Sequence, residues 1–341
     1  MRRAAGPGQP VAAGNACRYL SVAPGIAAHA APTLEMGFAP GCRSGANRGE
    51  LVLSANPTRP GASVARPDFV VIGAMKCGTS TLHDQLSANP GVFMSDPKEP
   101  NFFSDDHVFA RGIDWYEALF QAAAEDQICG ESSTHYTKSP TLPLAVERLA
   151  AQLPDARFIY VVRDPVERLV SHFIHEWTEK TVAGSIDEAV LRENRFIDYS
   201  RYAYQLEPYL ERFGADLVKL VFFERMTRDP QGELDRIGDF LGRPGLVWDV
   251  NREAQNVSSK RLRQNPLRDR IVASPLSTQL RRRFVPKSVR ERIRALWQME
   301  GRPELSERAR AQVVEALDRD LAQLGHWLGT PLSCATYGEL V

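Results

Sequence analysis

The sequence of 341 residues has few cysteines and no long apolar run, and each absence excludes a class of protein. The five cysteines form no CxxC pair and no other metal-ligand spacing, and they lie at positions 17, 42, 77, 129 and 334. This odd, scattered set predicts reduced thiols and a cytoplasmic location, and argues against a disulfide framework or a metal site. No window reaches about 18 consecutive apolar residues, the length expected of a transmembrane helix.

The first 66 residues contain no lysine and no acidic residue before Glu35. They are rich in Ala, Gly, Pro and Ser without helical or strand periodicity, which predicts a disordered or low-complexity tail over 1–66. The basic start lacks the continuous apolar core of a secretory signal peptide, but it leaves an organellar transit peptide open as the less favoured alternative. We expect one folded domain over 67–330 and a short C-terminal tail over 331–341.

An excess of either charge is also absent, because 42 basic residues balance 42 acidic ones. This balance argues against a protein that binds nucleic acid in general, so we do not expect nucleic acid as a partner. The apolar share of 43% is sufficient for a full hydrophobic core and is typical of a globular protein. The composition does not indicate an oligomeric state.

From residue 68 onward, short apolar runs alternate with helical patterns. Three runs are typical of strands buried on both faces, namely 69–73 (FVVIG), 157–162 (RFIYVV) and 217–224 (LVKLVFFE). Helices are predicted over 80–89 and 142–153, after the N-caps Asp164 and Asp229, and after Ser306. Strands separated by helices predict an α/β fold, with a central parallel sheet and helices on both faces. In such sheets the ligand binds beyond the carboxyl ends of the strands.

The first strand leads into a loop with the parts of a phosphate cradle. The order from Gly73 to Thr81 (GAMKCGTST) is not a Walker loop, because the lysine precedes the second glycine. Gly78 permits tight backbone geometry, and a helix starting near Thr79 offers its positive end to an anion. Lys76 adds a cation where a leaving oxygen would gain charge. The predicted binding residues are Lys76, Cys77, Gly78, Thr79, Ser80 and Thr81, and the alternative is a plain strand–helix turn.

A second anion subsite is predicted in the segment 160–173 (YVVRDPVERLVSHF). Arg163 follows a strand, and Ser171 lies about two helical turns further on. Glu167 and His175 lie four residues from Ser171 on either side, which predicts a polar stripe opposite the apolar face of the helix. An arginine and a hydroxyl that converge here can bind a second phosphate. A helix cap stabilised by salt bridges is the alternative.

Together, these two segments resemble the sulfotransferases that use 3′-phosphoadenosine 5′-phosphosulfate (PAPS). The resemblance is closer to the heparan sulfate branch and its bacterial relatives, because further segments follow in the same order. These are KEPNFFSDD (98–106), GIDWYEALF (112–120), GESSTHYTKSP (130–140), FIDYSRYAYQLEPYLERFG (196–214) and LVFFERMTRDPQGELDRIGDFLG (220–242). The similarity extends over about 68–330 and implies a P-loop-like three-layer fold.

The resemblance also implies roles for individual residues. Residues 78–81 would hold the 5′-phosphosulfate with Lys76 at the bridging oxygen, while Arg163 and Ser171 would hold the 3′-phosphate. Glu131 would be the catalytic base, with Lys98 near the transfer site. Ser132 replaces the lysine that follows this glutamate in the family, which weakens any inference that the acceptor site is the same. His135 is the alternative base. PAPS would be the co-substrate, and no metal is required.

The stretch between Lys260 and Arg302 is basic, with thirteen Lys or Arg residues against three acidic ones. By resemblance, Lys260 and Arg261 would lie in a loop that closes over the nucleotide, whereas the alternative is a solvated charged surface. The function predicted is transfer of a sulfuryl group from PAPS to a hydroxyl or amine of a carbohydrate-like acceptor, a small molecule or a glycan. A P-loop-type nucleotide kinase and a non-catalytic PAPS-binding relative are the alternatives.

Overall fold

A computed structural model describes residues 66–252 and 301–340. The predicted N-terminal tail, apart from Arg66, therefore lies outside the described residues, as does most of the basic stretch. No helix within the described ranges is both long and apolar enough to span a membrane.

A five-stranded sheet forms the centre of the protein, and all its strand pairs are parallel. The strands are β1 (Phe69–Gly73), β2 (Val92–Met94), β3 (Ile128–Ser132), β4 (Arg157–Val162) and β5 (Val218–Phe222). Their spatial order is β2-β3-β1-β4-β5, which places β1 in the middle of the sheet. All five residues of β1 are buried, as the continuous apolar run FVVIG predicts.

Helices connect and flank these strands, which confirms the predicted α/β architecture. In chain order they are α1 (Thr79–Ser87), α2 (Asp106–Phe109), α3 (Ile113–Ala118), α4 (Ala145–Gln152), α5 (Pro165–Thr178), α6 (Ile186–Arg192), α7 (Arg195–Asp198), α8 (Tyr202–Phe213), α9 (Phe223–Arg228), α10 (Pro230–Leu241), α11 (Glu307–Leu328) and α12 (Tyr337–Leu340). A 3₁₀ turn (Thr134–Thr137) follows β3, and another (Ala215–Leu217) precedes β5.

The three predicted N-caps are confirmed. The Asp164 carboxylate accepts a hydrogen bond from the Glu167 amide, and Asp229 accepts one from the Gly232 amide. The Ser306 hydroxyl accepts one from the Ala309 amide at the start of α11. Each cap satisfies an amide that has no partner inside the helix, which is why Ser and Asp are favoured at this position.

Two strands escaped the sequence analysis because they lack a long apolar run. β2 has three residues, and β3 has the sequence ICGES, which ends in two polar residues. Gly130 in β3 packs directly against the Phe69 ring, since a Cβ at this position would lie 2.2 Å from Phe69 Cζ. The polar end of β3 is buried, so a segment that reads as a loop is part of the core.

Two predicted boundaries are wrong. The strand predicted over 217–224 ends at Phe222, and Phe223 and Glu224 begin α9. The predicted C-terminal tail over 331–341 packs against the core through Leu332 and Tyr337, which are 5% and 1% exposed. The Arg225 guanidinium also donates a hydrogen bond to the Leu340 carbonyl oxygen at 2.6 Å. The buried apolar side chains and this bond hold the segment against the domain.

Candidate active site

The loop after β1 lies at the carboxyl end of the central strand and leads directly into α1. Lys76 and Gly78 both adopt the left-handed conformation, with φ of 73° and 83°. Gly78 is the N-cap residue of α1, and no side chain caps the first turn. The N-cap side chain therefore does not occupy the first amide groups of α1, and the anion-binding role of residues 79–81 stays a prediction.

Glycine is required at position 78 for two reasons. Its φ lies in the region that favours glycine, and a Cβ there would lie 2.7 Å from Cδ2 of the Phe223 ring. Phe223 also supports the predicted second anion subsite, because the Arg163 guanidinium lies 5.0 Å from the centre of the same ring. One aromatic side chain thus packs against both the loop and Arg163, a contact that the predicted strand over 217–224 did not indicate.

Cys77 is directed into the protein rather than towards a ligand. Its amide donates to the Ala74 carbonyl oxygen at 3.2 Å, and its sulfur lies 3.9 Å from the Tyr202 hydroxyl. Burial raises the pKa of the Cys77 thiol to about 12, although the charges of Arg168 and Arg163 lower it. Both the amide and the side chain of Cys77 thus contact protein.

Arg163 lies at the carboxyl end of β4, close enough to the loop for its charge to lower the pKa of the Cys77 thiol. One guanidinium nitrogen lies 3.2 Å from Oε2 of Glu167, and Arg302 contacts the same oxygen at 2.5 Å. The Tyr202 hydroxyl donates to the Arg163 carbonyl oxygen at 2.6 Å, which fixes the backbone at the strand end. Glu167 therefore holds two arginines beside the loop.

Ser171 does not lie on a surface stripe. It is 2% exposed, because α5 is covered by α6, α7 and α11 on several sides. Arg168 on the same helix is fully buried and donates to Ser200 Oγ at 2.7 Å and to the Phe196 carbonyl oxygen at 2.9 Å. The predicted phosphate contact of Ser171 stays a prediction, and as the chain is folded its side chain is enclosed by protein.

Glu131 is fully buried at the end of β3 rather than in a loop. Its Oε1 accepts hydrogen bonds from the Tyr116 and Tyr136 hydroxyls at 2.8 and 2.9 Å. Its Oε2 accepts one from the Ser133 hydroxyl at 2.8 Å. Burial raises the pKa of Glu131 to about 7, although these three hydrogen bonds lower it. The catalytic role predicted for Glu131 stays a prediction, but an acceptor could reach this carboxylate only if the network opened.

A second carboxylate, Glu99, lies on the loop that passes the carboxyl end of β3. Its amide donates to the Ser132 carbonyl oxygen at 2.9 Å, and its side chain is 33% exposed. The Lys98 ammonium donates to Glu99 Oε1 at 2.8 Å, and the Thr134 hydroxyl contacts the same oxygen at 3.3 Å. Within residues 66–252 and 301–340, no hydrogen bond is made to Oε2. One oxygen of Glu99 is therefore held while the other is available.

The electrostatic surroundings keep Glu99 ionised. Burial raises its pKa, but the adjacent Lys98 ammonium lowers it further, so that the pKa lies below the usual value for a glutamate. The charges of His135 and Lys138 act in the same direction. On α1, burial lowers the pKa of His83 to about 4, and Lys98 and Glu99 are among the charges that act on it. His83 Nδ1 lies 3.0 Å from Ser132 Oγ, and the Glu99 amide donates to the carbonyl oxygen of the same serine, so Glu99 lies near the helix that follows the loop.

Backbone strain marks the same region. Four non-glycine residues in the described ranges have positive φ, and three of them are Lys76, Glu99 and Asn101. Such conformations are uncommon outside glycine and are concentrated at functional sites. The Asn101 amide donates to Ser133 Oγ at 3.1 Å, which ties the Glu99 loop to the Glu131 network.

The other predicted residues fall into two groups. Lys98 contacts Glu99, and His135 lies 2.9 Å from the Asp105 carboxylate through Nδ1, so both lie on the Glu99 side of the site. Lys260 and Arg261 lie outside the described residues. Glu99 was overlooked by the sequence analysis even though it belongs to the quoted segment KEPNFFSDD. Its position directly after Lys98 was the available indication.

Residues 66–325 match the family model of the sulfotransferase domain. The chain is similar to heparan sulfate glucosamine 3-O-sulfotransferase 3A1 of Mus musculus, with 33% identity over 192 residues that cover 54% of this chain and 47% of that protein. It is also similar to the bifunctional heparan sulfate N-deacetylase/N-sulfotransferase 2 of Bos taurus, with 28% identity over 196 residues that cover 52% of this chain and 22% of that protein. The chain thus spans about half of the first relative and less of the second.

Among solved structures, a sulfotransferase from Alicyclobacillus acidocaldarius superposes with a TM-score of 0.57 and 24% identity, covering 79% of this chain and 98% of that chain. This likeness supports the fold that the parallel sheet defines. The family match covers most of the chain and all five strands of the sheet, from β1 to β5. The protein therefore belongs to the sulfotransferase domain family.

Proposed function

We propose that the protein transfers a sulfuryl group from PAPS to a hydroxyl or amine of a carbohydrate-like acceptor and releases PAP. The observation that carries the proposal is the uncapped start of α1, where Lys76 precedes a left-handed Gly78 at the end of the central strand. This arrangement fits the phosphosulfate end of PAPS, because backbone amides, a helix terminus and one cation meet at a single point.

Two arginines extend the donor site beyond this loop. Arg163 and Arg302 share the Glu167 carboxylate, so each guanidinium keeps donors that are not used by this contact. A bound phosphate would accept charge-assisted hydrogen bonds from these remaining guanidinium donors. The 3′-phosphate of PAPS is the group that we assign to this position.

The transfer requires the protein to stabilise the leaving group and to remove a proton from the acceptor. The acceptor oxygen or nitrogen attacks sulfur while the bond between sulfur and the bridging phosphate oxygen breaks, and the electron pair of that bond stays on PAP. Lys76 offsets the negative charge that develops on this oxygen. A base removes the acceptor proton. We assign this role to Glu99, which is ionised, partly exposed and held by Lys98 at one oxygen. Glu131 is the alternative that the sequence predicted.

The acceptor class is supported by the curated relatives. The two that are described above carry heparan sulfate in their names, as glucosamine 3-O-sulfotransferase and as N-sulfotransferase. A sugar hydroxyl or amine is therefore the acceptor group that we propose here. The phosphate loop would be common to many acceptors, whereas the Glu99 side would select among them.

Calorimetric titration of the protein with PAP, with ATP plus Mg²⁺ as the comparison, tests the donor assignment. We expect PAP to bind and ATP to bind much more weakly. Arg163→Ala should weaken PAP binding about tenfold or more, because it removes a hydrogen bond to a charged group. Arg157→Ala provides a matched control, since Arg157 begins the same strand at its opposite end.

Preference for ATP over PAP would overturn the proposal and favour a kinase. PAP binding that is unchanged in Arg163→Ala would leave the loop as the donor site but would remove Arg163 from it. PAP binding without turnover across a broad panel of sugar acceptors would favour a non-catalytic relative.

A further inference from the structure

A cavity of about 490 Å³ lies beside the Glu99 loop and is not used by the donor site. Its lining comes from four parts of the chain: the segment 104–107, the 3₁₀ turn and the residues that follow it, α5, and the segment around α7. The volume is typical of a site for a small ligand or one or two sugar units. It adjoins the candidate base, because His135 lines it and the neighbouring Thr134 hydroxyl contacts Glu99 Oε1 at 3.3 Å.

Most charged groups of the cavity are already paired with protein. Asp105 lies 2.9 Å from His135 Nδ1 and accepts a second hydrogen bond from Ser104 at 2.9 Å. The Arg195 guanidinium contacts Glu176 Oε2 at 3.0 Å and Glu193 at 2.6 Å. The Thr181 hydroxyl also donates to Glu176. These groups already have hydrogen-bond or ion-pair partners within the protein, so they offer little to an additional charged ligand.

Lys138 is different from the other charged groups of the lining. Within the described part of the chain, its ammonium has no hydrogen bond and no ion pair, and the Tyr199 ring lies 6.0 Å away. Burial lowers the pKa of Lys138, which reflects the loss of water around the charged form. Apart from this cation–π contact with the Tyr199 ring, the three donors of the ammonium have no acceptor in the described residues, and a ligand that supplies one would offset the cost of burying the charge.

We propose that the cavity binds the acceptor and that Lys138 holds one anionic group of it, a carboxylate or a sulfate, beside the hydroxyl or amine that is modified. This inference rests on the proposed sulfotransferase function and adds the charge of the substrate to it. Lys138 is thus a residue that determines specificity, while Glu99 acts on the reacting group.

The charge of the lining limits the acceptor to a single anionic group inside the cavity. The lining contains three carboxylates, Asp105, Asp106 and Glu176, against two fixed cations, Lys138 and Arg195. Since Arg195 is already paired with Glu176 and Glu193, only one cation of the described lining is available. A second anionic group would lie close to these carboxylates and would be repelled.

The test measures sugar binding to the PAP-saturated protein by NMR titration, with three probes that share one scaffold. These are phenyl β-D-glucoside, which is neutral, phenyl β-D-glucuronide, and phenyl β-D-glucoside 6-sulfate. We expect each anionic probe to bind about tenfold or more tightly than the neutral one, as a charged hydrogen bond predicts. A glucuronide that carries an additional sulfate group should bind no more tightly than the glucuronide.

Lys138→Met should reduce the anionic probes to the affinity of the neutral one and leave PAP affinity unchanged. Lys138→Arg should retain part of the preference. Lys180→Met is the matched control, because Lys180 is an exposed lysine at the end of α5, away from the cavity lining, and should change no probe. A difference between the two anionic probes would identify which anion the natural acceptor carries.

Equal affinities for the anionic and neutral probes in the native protein would overturn the inference, and so would a preference that survives in Lys138→Met. Absence of binding by all probes would overturn it as well. Tighter binding of the doubly charged probe would contradict the limit to one anionic group. PAP affinity is measured in the same samples, so a failure of the donor assignment is distinguishable: in that case PAP itself would not bind.

Discussion

The donor side and the acceptor side of the candidate site are built in different ways. On the donor side, the backbone supplies most of the proposed binding groups, through the left-handed Gly78 and the uncapped start of α1. On the acceptor side, side chains from distant segments are paired with each other, as in Lys98 with Glu99 and His135 with Asp105. A backbone cradle can bind any phosphate ester of the right shape, whereas single substitutions can alter a site that is built from side chains. We infer that such a division would let the acceptor side change while the donor side stays the same.

The contrast is sharpest between two glutamates on neighbouring segments. Glu131 is enclosed, accepts three hydroxyl hydrogen bonds and has a pKa that burial raises to about 7. Glu99 is 33% exposed, and although burial raises its pKa, the Lys98 ammonium holds it below the usual value. A base must be ionised and must reach the acceptor proton. Glu99 is partly exposed with a lowered pKa, which is the basis for assigning it this role, whereas Glu131 joins β3 to Tyr116 in α3 and to Tyr136 in the following turn.

The largest expected effect on turnover comes from replacing these two glutamates one at a time. Glu99→Gln should reduce turnover by about 10²–10⁴-fold, the usual contribution of a general base, with PAP affinity retained. Glu131→Gln keeps the volume of the side chain and should retain turnover within a few-fold. Release of PAP from PAPS in the presence of a sugar acceptor is the measurement, and PAP titration is the control for folding.

The opposite pattern, with Glu131→Gln inactive and Glu99→Gln active, would return the catalytic role to Glu131. If both variants kept the native rate, His135 would be the group to exchange next, since it lies on the same side of the site.

Lys76→Ala should have the next largest effect. Removal of one group that stabilises developing negative charge reduces the rate by about 10²–10³-fold. PAP affinity should fall much less, because the amides at the start of α1 continue to bind the phosphate. Single-turnover rates and PAP titration separate the two effects, and Lys180→Ala is the control lysine. Equal losses of rate and affinity would show that Lys76 only binds the nucleotide.

How much the sequence could predict differs between the two sides in the same way. The donor loop was predictable because a buried apolar run, a glycine and hydroxyl residues lie consecutively in the chain. The N-caps Asp164, Asp229 and Ser306 were predictable for the same reason, since each pattern is local. These local patterns also gave the α/β fold and the placement of the loop at the carboxyl end of a buried strand, whereas the central position of β1 came only from the structure.

The acceptor side was harder to predict because its contacts join residues far apart in sequence. Glu131 reads as a loop residue, and only the pairing of β3 with β1 and β2 shows that it is buried. The neighbouring Lys98 lowers the pKa of Glu99, which a local pattern could indicate. The backbone of Glu99, however, is held by a hydrogen bond to the Ser132 carbonyl oxygen, 33 residues away. Phe223, which supports both Gly78 and Arg163, reads as one more apolar residue of a strand.

A smaller effect would test the protonation state on which the contrast of the glutamates depends. Burial raises the pKa of Glu131 from an ordinary value of 4.5 to about 7 in the folded protein. Between these values the folded chain holds a proton that the unfolded chain releases. The contribution of Glu131 to stability is therefore fully present below pH 4.5 and is lost as the pH rises through 7. The free energy of unfolding of the native protein, minus that of Glu131→Gln, should fall by on the order of a few kcal/mol between pH 5 and pH 8.

Urea unfolding of both proteins across this pH range provides the measurement. Buried His83 and His172 act in the opposite direction, because burial lowers their pKa values to about 4 and about 3, so their contributions increase as the pH rises towards 6.5. Both histidines are present in both proteins and cancel in the difference. A difference that does not change with pH would mean that Glu131 is ionised throughout, so that its carboxylate is ready to accept a proton. The two glutamates would then differ only in access, and opening of the Tyr116–Glu131–Tyr136 network would decide which of them acts.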